Sequence, residues 1–139
     1  MNVLEIPFNK FIGLQNADTN NDFILKLDER KEYLNHIGSL HASVLFALAE
    51  ATSGEFLLKQ FKDYELNVIP VVRKVECKYS KPGNGTVYSK AGFINTNTKE
   101  IIDELSNKKR VIIKVKIDIY NKNLNKIMTS IFDWFVTLN

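Results

Sequence analysis

Glu50 raises the chemical question. It closes the run NHIGSLHASVLFALAE (35–50), in which nothing charged stands between His41 and this carboxylate. A carboxylate in that place can serve as a general base or a nucleophile, and burial raises its pKa. At the other end of the run, Asn35, His36, Gly38, Ser39 and His41 dress what reads as the start of a helix. A helix N-terminus offers unpaired N–H groups and a partial positive charge, which can hold a carbonyl oxygen as it gains negative charge. Gly38 permits a turn and the close approach of a ligand. Asn35 and His41 can add side-chain hydrogen bonds.

Spacing constrains how these groups work together. Ala42 and Glu50 are eight positions apart, which in one helix is about 12 Å along the axis. That is too far for both to act on one carbonyl. Two antiparallel helices in a symmetric dimer bring the N-terminus of one beside the Glu50 of the other. The same residues also have a plainer reading, with Glu50 facing solvent near the end of the buried segment and both histidines as capping or loop residues. A metal site is poorly served, because His36 and His41 lack the helical three-to-four spacing and a third ligand is not evident.

The elements that must position these residues can be read from periodicity. Residues 39–59 read as one long helix, apolar on most sides rather than along a stripe, so other structure must wrap it. Gly54 is expected to weaken or end it. Before it, Pro7 opens a short helix with Phe8, Phe11 and Ile12 on one side, QNADTNND (15–22) breaks it, and Phe23–Leu27 reads as a strand. Residues 28–38 read as polar and irregular.

After the helix the period changes to two. Val75, Cys77 and Tyr79 alternate with Glu76 and Lys78, and Asn84-Gly85 is a turn before a strand over 87–94. VIIKVKIDIY (111–120) sets Val111, Ile113, Val115, Ile117 and Ile119 against Lys114, Lys116 and Asp118. NKNLN (121–125) links it as a hairpin to residues 127–138, where Met128, Phe132, Trp134, Val136 and Leu138 share a face. Between the last two pairs of strands, Asn97 and Glu100 have capping-box spacing for a short helix. Antiparallel strands beside a single long helix indicate α+β, with one sheet curled around that helix.

The totals exclude several classes. A chain of 139 residues, 45% hydrophobic and 25% charged, suits one domain over 1–139 with 1–22 as a lead-in. A net charge of +3 is far from the clustered charge of a nucleic-acid binder. The single cysteine, Cys77, excludes an internal disulfide and reads as a buried strand residue. With neither a signal-like start nor a run of about 18 apolar residues, the expectation is a reduced, cytoplasmic protein without membrane or nucleic-acid partners.

The pattern Asn35-x-x-Gly38-x-x-His41-Ala42-Ser43, followed by Leu48-Ala49-Glu50, resembles the hotdog-fold acyl-CoA thioesterases. It is most similar to their phenylacetyl-CoA thioesterase-like branch, whose motif reads N-x-x-G-x-x-H-G-G followed by L-x-D or L-x-E. Tyr79-Ser80-Lys81-Pro82, ahead of a glycine-containing turn, is similar to that family's strand ending in Tyr and Pro. The order of elements matches over nearly the whole chain after residue 20. The resemblance implies a hotdog fold, with about five to six antiparallel strands around one central helix, and hydrolysis of an acyl-CoA without metal or other cofactor.

It also implies roles. The N–H of Ala42 polarises the thioester carbonyl, and Glu50 of the facing subunit activates water or attacks directly to give an anhydride. Asn35 and His41 position the thioester or the water, and Gly38 and Ser43 contact substrate. The assembly implied is a homodimer or a dimer of dimers.

Three departures from the pattern bear on activity. Ala42-Ser43 stands where the family has Gly-Gly, which narrows the approach. The carboxylate is Glu rather than Asp. A Ser or Thr helper after the helix is missing, with Val71 near its place. A noncatalytic hotdog module that binds acyl-CoA or another acyl thioester is the alternative. Arg73, Lys74, Lys78 and Lys81, and Lys108, Lys109 and Arg110, are cations that could meet coenzyme A phosphates or simply line solvated faces.

Overall fold

The computed structural model describes residues 1–18 and 21–139. At its centre is helix α2 (Ala42–Phe61), in which Val44, Leu45, Ala47, Leu48 and Ala49 are all buried, so no single stripe faces inward. The helix begins three residues later than its composition predicts. Before Ala42 the backbone is held in other bonds: Leu40 N–H donates to Gly83 O at 2.8 Å and His41 N–H to Tyr33 O at 2.7 Å. It also does not weaken at Gly54. That residue is buried against the Trp134 ring, and the helix runs on to Phe61.

The strands are β1 (Gln15–Asn16), β2 (Leu25–Leu27), β3 (Val68–Tyr79), β4 (Val87–Phe93), β5 (Arg110–Tyr120) and β6 (Lys126–Leu138). They form one six-stranded sheet, in the order β1-β2-β4-β5-β6-β3, with antiparallel pairs throughout. The period-two reading holds on the two longest central strands. Val111, Ile113, Val115, Ile117 and Ile119 are buried with Met128, Phe132, Trp134 and Val136, while Lys114 pairs outward with Asp133 at 2.9 Å. The sheet curls around α2, which touches five of the six strands.

Side-chain hydrogen bonds make the connections sharp. Asn121 Oδ1 accepts the N–H groups of Asn123 and Asn125, each at 3.0 Å, closing the β5–β6 hairpin. Helix α3 (Thr98–Lys108) joins β4 to β5. Asn97 caps it by accepting the Glu100 N–H at 2.9 Å. The reciprocal half of the capping box is absent, because the Glu100 carboxylate accepts from Thr96 Oγ1 instead, at 3.3 Å.

The N-terminal lead-in closes the side of α2 that the sheet leaves open. Helix α1 (Pro7–Phe11) follows a 3-10 turn at Val3–Glu5. Of the expected side Phe8, Phe11 and Ile12, Ile12 is buried but Phe8 and Phe11 are 61% and 81% exposed, and Asn9 is buried and donates to Val3 O at 3.0 Å. Part of the expected breaker, Gln15–Asn16, pairs as β1 with β2. Thr19 and Asn20 of that segment lie outside the described residues. The expected strand over 23–27 is shortened to Leu25–Leu27.

Gly54 offers a direct check of this packing. A methyl added there meets Trp134 carbons at 3.6 Å, an ordinary contact. Gly54→Ala is therefore expected to stabilise the fold by about 0.5–1 kcal/mol through helix propensity, as urea denaturation will measure.

Candidate active site

The start of α2 is a solvent-facing mouth. His41, Ala42 and Ser43 are exposed, and Gly38 turns the preceding loop with φ +77°, a conformation that favours glycine. Asn35 organises that loop. Its Oδ1 accepts the N–H groups of Ile37 and Ser39 at 3.0 and 3.1 Å, and its Nδ2 donates to Ser39 Oγ at 3.0 Å. Asn84 Nδ2 donates to Gly38 O at 3.0 Å and ties in the β3–β4 turn.

Ala42 is the first residue of the helix, and among the described residues its N–H meets no acceptor. His41 is the cap. Its backbone is extended at φ −62°, ψ 140°, and its Nδ1 accepts the Ser43 N–H at 3.0 Å. The side chains of Asn35 and His41 are thus already engaged in shaping the loop and the helix start. Asn35 keeps one amide hydrogen for another partner, and His41 keeps Nε2.

A groove of about 240 Å³ opens at this mouth, lined by Asn35, Ala42, Leu45, Tyr79, Lys81 and Gly83 among others. Tyr79, at the last position of β3, donates its hydroxyl to Ala42 O at 3.3 Å. Of the cations singled out in the sequence, Lys81 lines this groove. Lys74 and Lys108 pair with Glu76 and Glu104, and Arg73 lies over the Phe135 ring at 4.5 Å. His41 and Ser43 line a different groove, of about 590 Å³, with Phe8, Phe11, Tyr33 and Val44.

Glu50 lies two turns further along α2, half-buried in a third groove of about 350 Å³. This groove runs between α2, the lead-in and the start of β3, with Ile6, Ala51, Gly54, Pro70 and Trp134 in its walls. Burial alone pushes the Glu50 carboxyl above its ordinary pKa, with no ion pair opposing it. Its turn of helix is held in place: Ser53 Oγ donates to Glu50 O at 2.7 Å, and Trp134 Nε1 donates to that hydroxyl at 3.0 Å.

Within one protomer the mouth and the carboxylate are separate. They share a neighbour in β3, whose last residue touches Ala42 and whose first residues line the groove of Glu50. β3 is an edge strand: among the described residues only β6 pairs with it. Val71, the position nearest the missing helper, is 52% exposed and lines neither groove. The lead-in residues and Trp134 were not legible as site residues, since aromatic and aliphatic side chains there match any core pattern. Among the described residues no three of His, Cys, Asp and Glu gather as a metal site, and no helix is long and apolar enough to cross a membrane.

Comparison with known proteins places this geometry. The chain belongs to the family described as a domain of unknown function, DUF4442, which matches residues 4–136. No curated protein matches it. Among solved structures it is similar to PA5026 of Pseudomonas aeruginosa, a probable thioesterase, with a TM-score of 0.83 and 19% identity over 99% of this chain and 91% of that one. It is similar to the thioesterase HI1161 of Haemophilus influenzae, with a TM-score of 0.74 and 20% identity over 98% and 86%. A hypothetical thioesterase of Streptococcus pneumoniae, solved with coenzyme A, aligns with a TM-score of 0.65 and 17% identity over 91% and 87%. At these identities the likeness is one of fold, and the fold is the hotdog.

The raised pKa of Glu50 has a consequence for stability. The folded state holds this proton more tightly than the unfolded chain, so stability falls as pH rises from the unfolded carboxyl value, about 4.3, through the folded one. Glu50→Gln is therefore expected to raise Tm at neutral pH, with the gain vanishing below about pH 4. Thermal melts of both proteins across pH will check the sign.

Proposed function

We propose that this DUF4442 protein is an acyl-CoA thioesterase whose active site is completed across a homodimer, as in the phenylacetyl-CoA thioesterase-like branch it resembles. The observation that carries the reading is the placement of two complementary groups at opposite ends of one open edge strand. The unpartnered N–H of Ala42 lies at the Tyr79 end, and the unpaired carboxylate of Glu50 at the Val68–Pro70 end. Antiparallel pairing of two β3 edges about a two-fold axis sets the Tyr79 end of one strand beside the Pro70 end of the other. Each Ala42 then shares a site with the partner's Glu50. A dimer of such dimers leaves both sites intact.

In that site the thioester carbonyl oxygen accepts the Ala42 N–H at the positive end of α2. The partner's Glu50 takes a proton from water, whose oxygen attacks the carbonyl carbon. The carbon–sulfur bond breaks, the coenzyme A thiolate takes the proton from Glu50, and the free acid departs. A base with an elevated pKa suits this proton transfer near neutral pH. Coenzyme A would enter along the groove of Tyr79 and Lys81, beside Gly38. His41 and Ser43 act by fixing the helix start through the ring-to-backbone bond. The hotdog neighbours named as thioesterases, one of them solved with coenzyme A, support the substrate class.

One observation favours the alternative of a noncatalytic acyl-thioester binder. The Asn35 and His41 side chains that would orient water are engaged in local bonds. Thiol release across short, long and aromatic acyl-CoAs separates the two readings. The enzyme turns over at least one of them and loses turnover in Glu50→Gln. A module binds them intact and releases no thiol.

The donor can be removed without removing the helix. Proline suits the first helical position, and His41 already has the extended backbone that a residue before proline requires. Ala42→Pro is expected to lower kcat by about 10²–10³-fold while leaving Tm nearly unchanged. Mixing Ala42→Pro with Glu50→Gln protein tests the shared site. Heterodimers rebuild one intact site each, so an equal mixture should recover about a quarter of wild-type activity. No recovery after subunit exchange would place the donor and the base in one subunit.

A further inference from the structure

The groove of Glu50 differs from its neighbours in chemistry. Among the described residues that line it, Glu50 is the one with an ionisable side chain, and Met1 adds its α-amino group. The groove at Phe8 and Phe11 carries Arg30, Glu32 and His41, and the one beyond α2 carries Glu55, Lys59, Lys62 and Glu65. Trp134 Nε1 is engaged by Ser53 Oγ, and Asn9 Nδ2 spends one of its hydrogens on Val3 O. What it offers a ligand is hydrocarbon on three sides: Ile6 from the lead-in, Gly54 and Leu58 from α2, and Pro70 with Trp134 from the sheet. At about 350 Å³ it lies within the range of small-molecule sites, about 300–1,000 Å³.

We infer that this groove is the acyl subsite, and that the lead-in together with Gly54 and Trp134 sets the length of the hydrocarbon acyl group it takes. The inference rests on the thioesterase reading for its ligand class. Glu50 stands where carbonyl chemistry would occur, so a chain continuing past it runs along the apolar walls of Ile6, Leu58, Pro70 and Trp134. Gly54 sets the depth. A methyl there meets the Trp134 ring at 3.6 Å, so any longer side chain must enter the groove or displace the ring. The lead-in is thereby a wall of the subsite, and Ile6 is a specificity residue outside the central helix.

Trp134 is the chain's only tryptophan, so its emission reports occupancy without any reaction. S-alkyl-CoA thioethers from ethyl to decyl, which cannot be hydrolysed, are titrated into the wild-type protein with calorimetry in parallel. Affinity should rise about fourfold per methylene until the groove is full, with a saturating change in Trp134 emission. Gly54→Leu should cut the decyl-to-ethyl affinity ratio at least about tenfold, and Ile6→Ala should lower the octyl-to-ethyl ratio about fivefold.

An affinity independent of chain length, unchanged Trp134 emission at calorimetric saturation, or no binding at any length overturns the inference. If wild type releases no thiol while Trp134 still reports the thioethers with the expected length dependence, catalysis falls and the subsite stands. If thiol is released and the length profile is flat, the subsite falls and catalysis stands.

Discussion

A helix that is apolar around its whole circumference cannot be satisfied by one flat surface, and that constraint organises this protein. Burying α2 requires a sheet that curves past it on one side and a second covering segment on the other. The polar side chains at its centre are tolerated because each finds a partner. Thr52 Oγ1 donates to Leu48 O at 2.7 Å and lies 2.6 Å from Ser89 Oγ, while Ser53 is held between Glu50 O and the Trp134 ring nitrogen. These bonds fix how α2 is rotated within its enclosure. The rotation decides which of its residues face the gaps.

Among the described residues the first N–H of α2 and the Glu50 carboxylate find no partner, and they are opposite in electrical sense. The first N–H of the helix is an unmet donor at the positive end of the dipole, and Glu50 is a carboxylate in apolar surroundings. Burial of the carboxylate is unfavourable for an isolated chain. In the proposed dimer site the two groups are matched in kind, because what one lacks the other supplies through a bound carbonyl and a water. Functional sites commonly carry such local destabilisation, with the remainder of the fold holding the groups in place. Here that support is visible in the turn at Gly38, the ring of His41 and the Trp134–Ser53 link.

Much of this architecture was legible in the sequence for a physical reason. Alternation over 111–120 sets a buried face against a charged one, that over 127–138 sets a buried face against a mixed one, and the pattern survives in β5 and β6 because both are central strands. The helix was legible from its composition, but its first turn was not. Whether residues 39–41 are helical depends on bonds to Tyr33 and to Gly83, the second of which is distant in sequence. Gly54 misled for a similar reason, since its propensity penalty is outweighed by contact with a ring 80 positions later. The lead-in was least legible. The burial of Asn9 in place of Phe8 and Phe11 follows from how the segment lies across α2, which local periodicity does not record. In the candidate site, Glu50, Ala42 and Gly38 were readable from type and spacing. The grooves that separate them, and the local engagement of Asn35 and His41, arise only in three dimensions.

The strand order also bears on how the chain is made. β3 follows α2 directly, yet its intramolecular partner is β6, the last strand to be synthesised. On the ribosome, the apolar helix and a twelve-residue strand therefore emerge before the strand that must join them. At about 5–20 residues per second the interval is several seconds. Throughout it, the covering available to α2 is the lead-in, which has already emerged, together with β2. A segment that reads as a mere prelude to the fold is thus the first shield its core receives, and it fills that role before any sheet exists to curl.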